Sequence, residues 1–120
     1  RRMLGEMKRL RASGPVTVIS GEIHLATRAE MRPPEGTVHQ LVASGITHQP
    51  PGQAYARALG LLAGFGEAPL SDSPISTLPL PGHRRRYVAE RNFLTLWRRG
   101  GKWQSQWHLE KSGPTAPMDL

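Results

Sequence analysis

No cysteine occurs among the 120 residues, which excludes disulfides, thiolate nucleophiles and thiolate metal sites. Any bound metal must then be held by imidazole, carboxylate and carbonyl groups. Nor does any stretch approach the roughly 20 consecutive apolar residues of a helical membrane span, so a span is not expected. Acidic residues are also few, with 9 Asp and Glu against 16 Lys and Arg and a net charge of +7. The basic excess gathers in Arg1–Arg11, Arg84–Arg86 and Arg98–Lys102. Such a balance attracts phosphate-bearing partners non-specifically, but clusters dispersed at turns and element ends read first as solvated surface. Hydrophobic residues at 38% and charged residues at 21% describe a globular chain. The chain opens on Arg1-Arg2 without an initiator methionine or the apolar core of a signal peptide. It is therefore expected to be a segment of a longer protein, with Met3 as the alternative start.

Along the chain, Met3, Leu4, Met7 and Leu10 fall on one face of a helix over residues 2–11, which Ser13-Gly14-Pro15 ends. Val16-Thr17-Val18-Ile19 has the apolar continuity of a strand buried on both faces. Leu25 to Met31 reads either as a short helix or as a further extended segment, closed by Pro33-Pro34. Residues 38–46, VHQLVASGI, read as a second buried strand, followed by a loop at His48–Gly52. Residues 53–63 form a helix pattern with Tyr55, Ala58, Leu59 and Leu62 on its apolar face, stopped by Gly64 and Gly66. Glu67 to Gly82 is a connecting segment with one short strand expected at Ile75–Leu78.

Tyr87 to Trp97 and Trp103 to Leu109 then predict a β-hairpin. With Gly100-Gly101 as a two-residue turn, Leu94, Leu96, Trp103, Trp107 and Leu109 share a face, and Arg91 opposes Glu110. A three-residue loop would exchange the faces. Residues 112–120 read as a tail.

The stretch that carries chemistry is Ser20-Gly21-Glu22-Ile23-His24. A glycine ending a strand lets the backbone turn where side chains would clash, and residues two apart can then aim two ligands into the crevice beyond the strand's carboxyl end. Carboxylate and imidazole together suit a divalent metal. His48 falls near the end of the neighbouring strand. His39, His83 and His108 sit in strand, turn and hairpin positions and read as structural, and Trp103 and Trp107 read as core.

VTVISGEIHLATRAEM resembles the strand-plus-GDxH block near the end of the catalytic domain of the PhoD-like alkaline phosphatases, members of the calcineurin-like metallophosphatase superfamily. VHQLVASGITHQPP is similar to that family's following block, and YVAERNFLTLWRRGGKWQSQWHLE to its closing hairpin. The resemblance covers most of residues 3–110. It implies an α/β fold, here part of an α/β/β/α sandwich with a C-terminal β-hairpin. It also implies a hydrolase in which metal-activated water attacks a phosphate ester at a divalent or dinuclear metal centre, of Ca, Fe, Mn or Zn.

Carried over by residue, His24 matches the family's histidine as a metal ligand, and Glu22 stands where the family has aspartate, one methylene shorter. The family's other ligand blocks, of the type DxH, GDxxD and GNH or GND, do not occur in the 120 residues. Residues 1–111 are therefore expected to be the C-terminal portion of a metallophosphatase domain, active only with its missing N-terminal half. The partners expected are that half and a phosphate-ester substrate. The alternatives are a basic nucleic-acid-binding module, disfavoured by the dispersed charge, and a non-catalytic structural fragment.

Overall fold

The computed structural model describes residues 2–21 and 24–120. The chain folds as a mixed α/β protein with two sheets. Helix α1 covers Arg2–Ser13 and leads through Pro15 into β1, Val16–Ser20. The segment after Gly21, open between helix and strand in the sequence, is β2, Thr27–Met31. Its threonine and its two buried ends suit a pleated surface better than a helix. β3 covers Val38–Val42, α2 Gln53–Leu62, β4 Glu67–Leu70 and β5 Ser73–Leu78, with one turn of 3-10 helix at Ala63–Phe65 after α2. These five strands form one sheet in the order β1-β3-β2-β5-β4. β1 runs parallel to β3, in register from Val16 opposite Val38 to Ser20 opposite Val42, and the other neighbours are antiparallel.

β6, Asn92–Arg99, and β7, Lys102–Leu109, pair antiparallel from Asn92 opposite Leu109 to Arg99 opposite Lys102. The turn is therefore Gly100-Gly101, and both residues have positive φ, 56° and 83°, as a two-residue type I′ connection requires. In this register Leu94, Leu96, Trp103, Trp107 and Leu109 lie on one face, and Arg91 meets Glu110 at 3.3 Å. Residues 112–120, expected as a tail, contain β8, Gly113–Pro114, and β9, Met118–Asp119, both paired to β7. Strands two residues long carry no period that a sequence could display.

Both sheets contribute to one core. Leu41 from β3, Leu80 after β5 and Trp107 and Leu109 from β7 pack with Ala26 and Val88, and a smaller cluster joins Leu25, Ala56 and Ala89;. α1 lies on the first sheet, where Leu4 and Met7 line a cavity of about 90 Å³ with Val18, Ala29 and Met31.

Two expected burial patterns change. β1 is an edge strand, not one covered on both faces, and Ile19 is 55% exposed. The apolar face of α2 is rotated toward Ala56 and Leu59, which leaves Tyr55 57% and Leu62 67% exposed. Tyr87 packs beside this helix, its ring at an ordinary contact distance of 3.7 Å from the position a Gly60 Cβ would take.

Glu90 is buried and anchors the segment after β7. Its carboxylate accepts the Lys111 and Ser112 amides at 2.9 Å each and the Ser112 hydroxyl at 2.5 Å. Burial pushes its pKa up, but the Ser112 hydroxyl and amide, the Lys111 amide and the charge on His83 together outweigh burial and hold it below the ordinary value of 4.5. A carboxyl whose pKa is lower folded than unfolded stabilises the fold above its unfolded pKa, and that contribution fades as pH falls through the folded value. Glu90→Gln is expected to lose about 1–3 kcal/mol at neutral pH. Urea titrations across the acid range should show a flatter decline of stability below pH 4.5 in the variant than in the parent.

Candidate metal centre

The parallel pairing of β1 with β3 brings the carboxyl ends of both strands to the same edge of the sheet. Pairing persists past the last ladder residues, since the Ala43 amide donates to the Ser20 carbonyl at 3.1 Å. Gly21 follows. A Cβ there would stand 3.0 Å from the Ala43 carbonyl oxygen, so close approach of two backbones is the reason for this glycine. Beyond it the strand ends border an open cleft of about 580 Å³, lined by Ser20, Gly21, Ala43, Gly45, Ile46 and Phe93 among others. Crevices at the carboxyl ends of parallel strands are where α/β folds bind ligands.

Glu22, one of the two expected ligands, lies outside the described residues. His24 is exposed and has φ 54°, the only positive value at a non-glycine among the described residues. Left-handed backbone at a non-glycine residue costs of order 1–3 kcal/mol and persists when the surroundings over-determine it. Here the following two residues do so. Leu25 is buried against Ala56 and Ala89, and Ala26 exchanges two 2.9 Å hydrogen bonds with Val88.

His48 reaches the same edge from the loop after β3. Its ring centroid is 5.0 Å from that of His24, with the rings tilted by 40°. The loop is set by Asn92, which is 2% exposed. Its side-chain oxygen accepts the Ser44 amide at 3.0 Å, and its amide group donates to the Ser44 carbonyl at 3.3 Å and the Glu90 carbonyl at 2.8 Å. From the other side the Trp107 indole donates to the Val42 carbonyl at 2.9 Å. Further along the loop, the Thr47 hydroxyl lies 3.3 Å from His48 Nδ1.

His39 and His108 have structural partners. His39 stands 3.7 Å from Glu30 in the middle of the first sheet, and burial, opposed by Glu30 and reinforced by Arg28 and Arg11, lowers its pKa. His108 stacks on Phe93, with centroids 4.5 Å apart and planes 5° from parallel, and lies 3.0 Å from the Thr95 hydroxyl. Trp107 is fully buried, whereas Trp103, expected in the core, is 53% exposed at the hairpin end. The first sheet ends at β1, and Trp103 borders the open groove beside that edge strand.

Among the described residues no group of three or more His, Asp or Glu side chains is arranged to hold a metal ion. Among the described residues, the imidazoles of His24 and His48 are the side chains brought together at this edge, fewer than a dinuclear centre needs. The motif points to His24, places His48 near a strand end and carries no mark for Asn92. Only the pairing of β1 with β3 and the contact between Ser44 and Asn92 assign them to this edge. No family model, curated protein or solved structure matches the chain.

Proposed function

We propose that this chain is the C-terminal portion of a metal-dependent phosphoesterase domain of the PhoD-like type, which hydrolyses a phosphate ester when joined to its upstream half. The observation that carries the reading is the position of His24, held in left-handed backbone at the carboxyl end of a parallel strand pair. This is the residue that the GDxH-like block assigns as a ligand. His24 would hold a divalent ion, and Glu22 stands in the block's carboxylate position. A bound divalent centre supplies neutralisation of phosphoryl charge and activation of water. The residues of this chain would hold and orient the centre, with the remaining ligands drawn from the upstream blocks.

An incomplete sheet supports the same reading. Among the described residues β1 pairs only with β3, so its other edge presents unpaired backbone groups. Beside it, Thr17, Ile19, Leu96, Trp103 and Leu120 line an apolar groove of about 390 Å³. Another strand with apolar side chains would satisfy both. The alternative of a basic nucleic-acid-binding module loses support because Trp107 serves the core, which leaves Trp103 as the exposed tryptophan beside Lys102.

The test compares this chain with the longest open reading frame that contains it, each with and without His24→Ala, for metal content and hydrolysis of chromogenic phosphate mono- and diesters. Metal-dependent hydrolysis is expected in the longer protein and is abolished by the substitution. A longer protein that hydrolyses neither ester, or does so equally well without His24, would refute the proposal.

A further inference from the structure

We infer that His24 and His48 together form a two-imidazole site for one divalent transition cation, with Thr47 selecting the nitrogen that His48 offers. The inference rests on the phosphoesterase reading for the role of His24, and it adds a ligand that the GDxH-like block does not contain.

Geometry is the first support. An ion bound at about 2.0–2.1 Å to one nitrogen of each ring lies about 3.2 Å from each ring centroid, so a tetrahedral angle separates the centroids by about 5 Å. The observed separation is 5.0 Å. The 40° tilt also distinguishes this pair from the other close aromatic pair of the chain. Phe93 and His108 lie 5° from parallel at 4.5 Å, as a stacked packing contact does.

Chemistry is the second support. A neutral imidazole has one nitrogen that donates and one that accepts, and the partner of the first decides which is free for a metal. With His48 Nδ1–H donated to the Thr47 hydroxyl 3.3 Å away, the lone pair stands on Nε2. Imidazole donors suit Zn, Cu and Ni, whereas Ca and Mg take oxygen ligands. Both rings are exposed, so an ion can enter and its remaining positions stay open to water or to a substrate oxygen.

Third, both donors are carried on a prepared frame. His24 is fixed by buried Leu25 and Ala26, and the approach to His48 is fixed where Asn92 clamps Ser44. Backbone strain at His24 is retained at a residue whose side chain makes no contribution to the core, being exposed.

The experiment titrates Ni2+ and Cu2+ into the 120-residue chain and into the longer protein. Calorimetry gives stoichiometry and affinity, and electron paramagnetic resonance of the Cu2+ form gives the number of coordinated nitrogens. The 120-residue chain is expected to bind one ion through two nitrogens. His48→Ala and His24→Asn should each weaken binding at least about tenfold, the loss typical of supporting residues and a lower bound for a ligand. Each should also remove one nitrogen, while His83→Ala changes neither readout. Asparagine tolerates left-handed backbone, so the His24 variant tests the ring and not the turn.

Unchanged affinity and nitrogen count in His48→Ala, or no stoichiometric binding by the parent chain, would overturn the inference. The two readings fail separately. Two-nitrogen binding in a longer protein that hydrolyses no ester removes the phosphoesterase reading and leaves the site; hydrolysis that needs His24 and metal, with His48 absent from the coordination, does the reverse.

Discussion

Trp107→Ala is expected to destabilise the protein by about 3–5 kcal/mol, the cost typical of emptying a large aromatic from a core. Trp107 is fully buried, at the centre of the cluster that joins Leu41 and Leu80 to Leu109. Its loss removes packing between the two sheets and deprives the Val42 carbonyl of its 2.9 Å partner at the end of β3. A melting midpoint lower by roughly 10–20 °C follows for a chain of this size. Because a domain has only about 5–15 kcal/mol in hand, Trp107→Phe is the companion variant. It keeps most of the ring and omits the N–H, and should cost about 1–3 kcal/mol. An alanine variant within 1 kcal/mol of the parent would mean that the sheets do not depend on this contact.

Asn92→Ala is expected to cost about 2–4 kcal/mol, because three buried backbone groups lose their partner at once. Those groups are the Ser44 amide, the Ser44 carbonyl and the Glu90 carbonyl. Asn92→Asp separates hydrogen bonding from volume. Aspartate can still accept the Ser44 amide, but in its charged form it faces two carbonyl oxygens and can donate to neither. Its pKa should therefore rise in the folded state above the unfolded value of about 3.9. A group with a raised folded pKa stabilises below its unfolded pKa and loses that contribution as pH rises through the folded one. Asn92→Asp should accordingly recover stability on acidification relative to Asn92→Ala, as chemical denaturation at a series of pH values would reveal. A difference between the two variants that does not change with pH would contradict this account of Asn92.

How much of this was legible in the sequence depended on whether the signal was local. The apolar spacing of Met3, Leu4 and Met7 and the Gly-Gly turn of the hairpin are local, and α1 and the β6/β7 register follow them. Whether Val16–Ser20 is central or at an edge is decided by which strands pair with it, and nothing in five residues states that. β4 and β9 are too short, and too dependent on β5 and β7, to carry a pattern of their own. The rotation of α2 reflects Ala56 and Leu59 meeting Leu25 and Ala89 across the chain, an outcome that hydrophobicity along the helix does not rank.

The site divides in the same way. Gly21 marked the end of a strand, but the clash it avoids is with Ala43, a residue of another strand. His24 was accessible through its motif. The partnership with His48 needed the parallel neighbour, and the role of Asn92 needed a contact with Ser44, 48 positions away in sequence.

The one-sided attachment of β1 has a consequence for motion. A strand held by a single ladder can open sub-globally, well below the free energy of complete unfolding, while the interior strands stay closed. β2 is locked between β3 and β5, and β3 is tied through Val42 and Ser44 to the second sheet. β1 is therefore the cheapest strand of its parallel pair to release. His24 follows β1 in the chain but is moored on its far side, at Leu25 and Ala26. Opening of β1 breaks its ladder with β3 but none of the contacts that hold Leu25 and Ala26, so amide exchange in β1 is separable from the placement of His24.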